Sequence, residues 1–313
     1  MNRHSATERP ASLAGVTSPI SDVAELSPAL VEAIGTLARQ SPDAADTPPL
    51  SEQTLLRLTA GPPIRHMVHQ QDDTLLGYAQ LDPDGASHGV ELIATDPLVA
   101  TELLEAAGRL VGPAGLRLWA HGRNSVATQA ATQAGWQPVR TLLQLRRSLT
   151  DLDDIADVVL AEPRLPGGVD IRPFRPELDS DAWLAVNARA FANHPEQGRW
   201  SRADLDDRLA APWFDPAGFL LAVRGEQLLG YHWTKVHTET PEPMGEVYVL
   251  GVDPAAQGLK LGKALLGAGL RYLHERGLNT VLLYVEADNG PARALYEGLG
   301  FTVFARDIQF AAG

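Results

Sequence analysis

The feature that most limits how this chain can fold is an internal repeat. The segment LGYAQLD at residues 76–82 matches LGYHWTK at 229–235. A longer segment, LRLWAHGRNSVATQAATQAGW at 116–136, matches VLLYVEADNGPARALYEGLGF at 281–301. Within each half, compact apolar runs indicate strands, and apolar residues at helical spacing indicate helices. A repeat of this length therefore predicts two copies of one domain that contains both strands and helices.

Each copy shows the same order of elements, namely strands, a long helix, a strand, a second helix and a final strand. This order predicts an α/β (α+β) fold, with a mixed, mostly antiparallel sheet and helices on its faces. The segment LAEPRLPGG at 160–168 carries two prolines and two glycines, which is typical of a linker. The sequence therefore predicts an N-terminal domain at 1–160 and a C-terminal domain at 168–313.

Charge and cysteine content exclude several classes of protein. The 313 residues carry a formal net charge of −13 and include no cysteine. That charge argues against a general binder of nucleic acid or of anionic membranes, which would carry a basic face. The lack of cysteine excludes disulfides and thiolate metal sites. No run reaches the roughly 18 apolar residues of a membrane helix, and the first residues lack a signal peptide pattern, so we expect a soluble cytoplasmic protein.

All three lysines of the chain, Lys235, Lys260 and Lys263, fall in one short stretch, while every other basic residue except histidine is arginine. A coding bias towards arginine explains why lysine is scarce, but it does not explain the clustering. An ammonium group suits phosphate or carboxylate oxygens. A shared functional neighbourhood and a chance clustering both stay open at this point.

Two of these lysines follow a strand and lie where a helix begins. In VLGVDPAAQGLKLGKALL at 249–266, the apolar run ends at Asp253-Pro254, and Gly258 and Gly262 precede or open the helical pattern. The first amides of a helix have no intrahelical partner, and the helix dipole makes that end positive, so an anion is stabilised there. Because a glycine-rich turn is a weak signal, an ordinary strand-to-helix turn is the alternative.

A later segment, EADNGPARALYEGLGF at 286–301, offers Asn289 as a helix N-cap and Pro291 in the first turn. Together the two segments resemble the GCN5-related N-acetyltransferase (GNAT) superfamily. In that superfamily, a Gln/Arg-x-x-Gly-x-Gly/Ala pattern holds the pyrophosphate of coenzyme A, and an Asn…Leu-Tyr…Gly-Phe segment lies along the pantetheine. The first pattern here is QGLKLG at 257–262, and it departs from the family at Lys260, where glycine is usual.

The resemblance implies acetyl-CoA as the co-substrate and no metal. It also implies that backbone at 250–252 binds the acetyl and pantetheine groups, where an N–H can polarise the thioester carbonyl. The coenzyme-binding residues that it implies are Leu250, Gly251, Val252, Gln257, Gly258, Leu259, Lys260, Leu261, Gly262, Lys263, Asn289, Gly290, Pro291, Ala292, Arg293 and Ala294.

Four unusual strings narrow the resemblance. They are FANHPEQGRW, WFDPAGFLLA, GYHWTKVH and GEVYVLGVDPAAQ, and they begin at residues 191, 213, 230 and 245. Together they resemble the mycothiol synthases, a family of tandem-domain acetyltransferases. This implies acetylation of the cysteine amine of 1D-myo-inositol 2-(L-cysteinylamino)-2-deoxy-α-D-glucopyranoside, a cysteinyl-glucosaminyl-inositol, to give mycothiol. The first half matches mainly in its domain plan and in PLSEQTLLRL.

Two residues suit the attack of an amine on a thioester, in which the amine loses a proton and the leaving thiolate gains one. Glu246 begins the strand that leads into the coenzyme loop and can accept the first proton, although an exposed strand-end glutamate is the alternative. Tyr296 is the general acid that the superfamily resemblance implies, and its spacing also fits a core aromatic. Both roles can hold together, because the ring can pack while the hydroxyl works.

The resemblance also implies a set of substrate-binding residues, which are Glu52, Glu196, Lys235, Glu246 and Tyr284. An acceptor with a cysteinyl group and many hydroxyls needs side chains of both charges. For Glu52 the alternative is a first-turn helix glutamate that the helix dipole favours. The three histidines at 194, 232 and 237 fit no zinc motif, so we interpret them as polar packing.

The first copy lacks the features that carry this chemistry. After Asp96-Pro97 it continues LVATELLEAAGRL, without a glycine loop or a basic residue before the helix, and Ala131 aligns with Tyr296. We therefore expect the N-terminal domain to be non-catalytic. Separately, we expect the protein to be a monomer. Two alternatives stay open: an acetyltransferase for another small amine or a peptide N-terminus, and an acetyl-CoA-binding sensor without catalysis.

Overall fold

The structure is a computed structural model that describes residues 20–41, 47–59, 61, 63–84, 87–122, 125–150, 165–192, 194, 197–238 and 242–312. It forms two compact units. Unit 1 comprises Met1–Val139 and Ile308–Gly313, and unit 2 comprises Arg140–Asp307. Both have the predicted arrangement, a mixed and mostly antiparallel sheet flanked by helices.

Unit 1 has its strands in the order β1-β2-β3-β4-β5-β12, and only the β4–β5 pairing is parallel. The helix α3 packs on this sheet through six buried aliphatic residues. The elements are β1 (Ile20–Val23), α1 (Pro28–Gln40), α2 (Glu52–Leu56), β2 (Arg65–Gln71), β3 (Thr74–Asp84), β4 (Ser87–Ala94), α3 (Pro97–Val111), β5 (Leu116–Ala120), α4 (Val126–Gln133) and the end of β12 (Thr302–Ala311).

Unit 2 continues the same plan, with the strand order β12-β6-β11-β10-β9-β8-β7 and a parallel β10–β11 pair. One face of its sheet is covered by α7, as the leucine spacing of that helix predicts. The elements are β6 (Gln137–Ser148), β7 (Asp170–Pro173), α5 (Pro176–Ala190), α6 (Arg202–Leu209), β8 (Phe219–Arg224), β9 (Gln227–His237), β10 (Met244–Val252), α7 (Leu261–Glu275), β11 (Thr280–Glu286) and α8 (Gly290–Glu297).

The last strand of each sequence copy pairs with strands of the other copy: β6 ends the first copy, and β12 ends the second. In unit 2, residues 142–148 of β6 pair antiparallel with β11, and in unit 1, residues 308–311 of β12 pair antiparallel with β5. The predicted division into 1–160 and 168–313 places β6 in the first domain and all of β12 in the second, whereas the compact units divide within β6 and within β12. An exchanged strand keeps its alternation of side chains, so the sequence pattern does not reveal its partner. The predicted linker lies partly outside the described residues.

The contact between α7 and the sheet contains a buried histidine. The His232 ring is fully buried, and its Nδ1 lies 2.9 Å from the carbonyl oxygen of Leu265 on α7, which makes Nδ1 the donor. A Cβ at Gly269 would lie only 2.1 Å from the ring, so glycine is required there. Burial lowers the pKa of His232 to about 4, while the hydrogen bond to Leu265 opposes the shift.

We expect His232 to make the stability of unit 2 depend on pH. The pKa of His232 is lower in the folded state than in the unfolded state, so the folded protein keeps the ring neutral while the unfolded chain takes up a proton. The folded state therefore loses stability as pH falls from 6.5 towards 4. The loss should be about 3 kcal/mol between pH 7 and pH 4. Chemical denaturation of wild type and of His232→Asn at both pH values measures it. Equal losses in the two proteins would contradict this role.

Candidate active site

The parallel pair β10–β11 separates in the middle of the sheet of unit 2. The strands pair at only three positions, of which the last joins Val247 to Leu283. A bulge in β10 follows between Val247 and Val249, and residues 249–252 continue to pair with β9 alone. On the side towards β11, the edge of β10 that includes Leu250, Gly251 and Val252 therefore has no paired strand. We call this gap between β10 and β11 the notch. These are the residues for which the resemblance implies backbone contacts to an acyl group.

The loop after β10 ends at the amino terminus of α7. Gly258 has a φ of +84°, and Lys260, the N-cap residue, is also left-handed at +57°. The Lys260 side chain makes no capping hydrogen bond, and Lys260 and Lys263 are both exposed at the start of the helix. Unsatisfied amides, a positive helix end and two ammonium groups together suit a pyrophosphate.

The corresponding helix of unit 1, α3, has a different amino terminus. The Asp96 carboxylate accepts hydrogen bonds from the amides of Leu98 and Val99, at 2.9 and 3.1 Å, and so occupies the amino terminus of α3. A carboxylate at this position satisfies the amides and would repel a phosphate. The position aligned with Tyr296 is Ala131, which is fully buried in α4.

The conformation of Lys260 explains why glycine is usual at this position in the superfamily. A left-handed backbone costs a residue with a Cβ roughly 1–2 kcal/mol. We expect Lys260→Gly to raise the free energy of unfolding by about 1 kcal/mol, whereas Lys260→Ala keeps the backbone cost and serves as the matched control. Both changes should raise the KM for acetyl-CoA, since both remove the ammonium. Denaturation curves that do not distinguish Gly from Ala would contradict the strain.

A row of polar side chains lies on the sheet face opposite α7. Glu246 on β10 stands directly across from Lys235 on β9, and both are less than one-tenth exposed. Tyr284 on β11 follows two residues after Leu282, the partner of Glu246 in the parallel pair. The structure therefore places three of the five predicted substrate-binding residues on one face, beside the notch.

Glu246 and Lys235 are each held by neighbours to which the sequence analysis assigned no role in the site. His237 Nε2 lies 2.7 Å from Glu246 Oε2, which fixes the carboxylate. The ammonium of Lys235 lies over the rings of Trp213 and Tyr248, at 4.8 and 5.7 Å from their centroids. Aromatic faces stabilise a desolvated cation.

Tyr296 packs on the α7 side of the same sheet. Its ring belongs to the hydrophobic cluster that contains Val247 and Leu283, the last paired residues before the notch. It meets Phe301 edge-on, with ring centroids 5.8 Å apart. Burial raises the pKa of the Tyr296 hydroxyl to about 12, so it carries its proton throughout the neutral range. Both interpretations of Tyr296, core aromatic and proton donor, are compatible with this position.

The start of α8 matches the predicted capping. The Asn289 side chain accepts a hydrogen bond from the Ala292 amide at 3.2 Å, and Pro291 lies in the first turn. Arg293, in the implied coenzyme set, donates to the Ala287 carbonyl and to Glu297. Those two bonds are structural.

The sequence at residues 183–301 matches the family model described as "Acetyltransferase (GNAT) family". A mycothiol acetyltransferase of Streptomyces avermitilis is 46% identical over 308 residues, which cover 95% of this chain and 96% of the relative. One from Thermomonospora curvata is 49% identical over 269 residues, which cover 84% and 86%. This chain belongs to the mycothiol acetyltransferase family.

Solved structures agree with the fold. A GCN5-related N-acetyltransferase from Sphaerobacter thermophilus superimposes with a TM-score of 0.68 at 21% identity, over 95% of this chain and 96% of that one. A tandem GNAT protein from the clavulanic acid biosynthesis pathway gives 0.69 at 18% identity, over 94% and 98%. At these identities the likeness concerns the fold alone, and it supports the tandem architecture that the repeat predicts.

Two further substrate-binding candidates are Glu196 and Glu52. Glu196 lies outside the described residues. Glu52 is an exposed residue of unit 1 that opens α2. The residue before it, Ser51, is anchored firmly, because its amide and its hydroxyl each donate to Glu91 at 2.7 Å. Burial raises the pKa of Glu91, but His121 and the Ser51 bonds outweigh it and hold that pKa below its ordinary value.

The histidines considered for a metal have separate partners. His232 is buried against α7, His237 contacts Glu246, and His194 Nδ1 accepts from the Gln197 amide at 3.0 Å. Among the described ranges, no group of three or more His, Asp or Glu side chains is arranged to hold a metal ion. No helix in the described part of the chain is long and apolar enough to span a membrane.

Sequence reasoning interpreted His237 as polar packing rather than as a neighbour of the site, and it missed Gln144 and Trp213. His237 could have been found, since it stands two residues after Lys235 and therefore on the same strand face. Gln144 could not, because its strand lies in the other copy and 140 residues from Tyr284.

Proposed function

We propose that this protein is an acetyl-CoA-dependent N-acetyltransferase. Its acceptor is the cysteine amine of 1D-myo-inositol 2-(L-cysteinylamino)-2-deoxy-α-D-glucopyranoside, and its product is mycothiol. The observation that carries the proposal is the position of Glu246, a buried carboxylate on β10 one residue before the pairing with β11 ends. A base at that place borders the notch, where the unpaired backbone of residues 250–252 is proposed to contact an acyl group.

The proposed reaction needs three proton transfers. The acceptor amine reaches the site as an ammonium and gives a proton to Glu246, which His237 holds in place. The neutral nitrogen attacks the thioester carbonyl carbon, so a C–N bond forms and the C–S bond breaks. Tyr296 gives its proton to the leaving thiolate, and the second proton that the nitrogen loses to become an amide returns to the Tyr296 oxygen, which restores the phenol. An N–H of residues 250–252 stabilises the negative charge on the carbonyl oxygen during the attack.

The proposed roles divide between the two units. In unit 2, the loop at 257–263 and the amino terminus of α7 hold the coenzyme phosphates, and Lys235 and Tyr284 contact the acceptor. Glu52 and Glu196 are proposed to contact its amine or hydroxyls. Unit 1 is proposed to be non-catalytic, which is supported by Ala131 at the position of Tyr296 and by Asp96 at the start of α3.

A competition among acceptors tests the proposal. The full chain would be mixed with acetyl-CoA and equal amounts of three amines: the cysteinyl pseudodisaccharide, the same pseudodisaccharide without its cysteinyl group, and a short peptide with a free N-terminus. Products would be counted by mass spectrometry, since a thiol reagent also detects the thiol of the acceptor. We expect nearly all acetyl groups on the cysteinyl compound. Preferential acetylation of the peptide or the sugar amine would assign another acceptor, and binding of acetyl-CoA without transfer would favour a sensor.

A further inference from the structure

We infer that Gln144 and Arg146 orient the Tyr284 hydroxyl as a hydrogen-bond donor, and that Tyr284 thereby selects an acceptor with a carbonyl oxygen next to its amine. The inference rests on the proposed function. It concerns two residues of β6, a strand that belongs to the first sequence copy but pairs with β11 in unit 2. Gln144 and Arg146 are positioning residues in this scheme, since they act through Tyr284.

The direction of each hydrogen bond follows from the first donor. Arg146 Nε can only donate, and it lies 2.9 Å from Gln144 Oε1. This fixes the amide of Gln144, so that its Nε2 is the atom that donates to the Tyr284 hydroxyl oxygen at 2.7 Å. The phenol therefore accepts from Gln144, and its own proton points to another partner. Within the described residues, that hydroxyl donates to no protein group.

The arrangement is rigid. Gln144 is directly opposite Tyr284 in the β6–β11 register and is only 1% exposed. The guanidinium of Arg146 stacks on Phe304, 3.5 Å from the ring centroid. Turning the buried amide over would place the Gln144 NH2 group against the Arg146 Nε–H, two donors facing each other, which costs more than a single lost hydrogen bond.

Burial of the Tyr284 hydroxyl, together with two nearby carboxylates, keeps its proton in place. Burial is the main reason that its pKa is raised, and the carboxylates of Glu246 and Asp307 raise it further, while Gln144 and Arg146 oppose them. Tyr284 is thus a neutral donor beside a carboxylate base. Glu246 accepts from an N–H, and Tyr284 donates to an oxygen, so one face recognises both. An α-aminoacyl group, with its carbonyl one carbon from the amine, presents this pair, whereas a sugar amine lacks the carbonyl.

The test compares two acceptors in variants of the full chain. One acceptor is the cysteinyl pseudodisaccharide, and the other is the same molecule with the cysteinyl carbonyl reduced to methylene. The variant Gln144→Glu places a carboxylate that accepts a hydrogen bond from the Tyr284 hydroxyl and still accepts the hydrogen bond from Arg146. We expect it to reduce the kcat/KM preference for the carbonyl compound about tenfold, with the KM for acetyl-CoA unchanged. The exposed Gln137→Glu, at the start of the same strand, should keep the wild-type preference.

A Tyr284→Phe background separates orientation from general damage. There, Gln144→Glu should have no further effect on the preference, because the hydroxyl that it redirects is gone. An equal loss for both acceptors, or an undiminished loss in the Tyr284→Phe background, would overturn the inference. If Gln144→Glu does not fold, as judged by thermal melting, Gln144→Met releases the hydroxyl and should give a smaller loss of preference in the same direction.

Calorimetry without acetyl-CoA distinguishes this inference from the proposed function. Wild type should bind the carbonyl compound more tightly than the methylene compound, and Gln144→Glu should bind them with more similar affinities. Equal wild-type affinities would overturn the role of Tyr284. Selective binding with no acetyl transfer would support that role and would overturn the proposed function instead.

Discussion

Glu246→Gln is expected to lower kcat for acetyl transfer by about 10²–10³-fold near neutral pH, within the usual range for loss of a general base. Glutamine keeps the size of the side chain and can still meet His237 by rotation of its amide, but it does not accept the ammonium proton. The KM for acetyl-CoA should change less than twofold, because the coenzyme contacts are proposed for the backbone at 250–252 and the loop after it. Initial rates with both substrates varied measure the two effects separately.

The pH dependence sharpens this prediction. An α-amino group loses its proton near pH 8, so the fraction of acceptor that is already neutral rises with pH. The Glu246→Gln rate should therefore approach the wild-type rate as pH rises above about 8. Glu226→Gln, in the exposed turn between β8 and β9, is the matched control and should behave as wild type. A constant ratio between wild type and Glu246→Gln across pH 6–9 would contradict the role of Glu246 as the base.

Tyr296→Phe has the second large effect that we expect, a loss of about 10²-fold in kcat. The change removes the proton donor for the thiolate and leaves the ring that packs against Phe301. Stability and acetyl-CoA affinity should stay close to wild type. Since burial raises the pKa of Tyr296 to about 12, the wild-type rate should not fall from loss of this proton below pH 10. Stopped assays over that pH range and thermal melting check both points.

Tyr272→Phe is the matched tyrosine control on α7. Its hydroxyl donates to Asp215 at 2.7 Å, so the change should cost about 1 kcal/mol of stability and leave kcat intact. If Tyr296→Phe loses stability instead of activity, its hydroxyl is structural. If Tyr296→Phe keeps full activity, the acid lies elsewhere.

The sequence predicts the parts of the site that depend on local pattern. The strand-loop-helix segment, the Asn289 cap and the leucine face of α7 all follow from spacing within a few turns, and the structure confirms them. Tyr296 is found by its place in a motif, and its burial follows from helical spacing. Lys260 is visible as a departure from the superfamily pattern, but its left-handed backbone is visible only in the structure.

The parts that the sequence missed depend on pairing between distant strands. Gln144 and Tyr284 meet because β6 pairs with β11, and no local pattern reports which strand lies beside which. The contact between His237 and Glu246 likewise needs the β9–β10 register. The exchange of β6 and β12 also affects how unit 1 can be studied alone. A fragment that ends near residue 165 lacks the β12 residues that pair with β5, and so lacks part of the unit 1 sheet.

The most direct measurement is the position of the transferred acetyl group. The purified protein would be mixed with one equivalent of acetyl-CoA and of the cysteinyl pseudodisaccharide, and the product would be fragmented in a mass spectrometer. We expect a single acetyl group on the cysteine nitrogen with the thiol free, and no such product with Glu246→Gln in the same time at pH 7. An acetyl group on the sulfur, or an N-acetyl product formed equally fast by Glu246→Gln, would contradict amine activation by Glu246 at the β10–β11 notch.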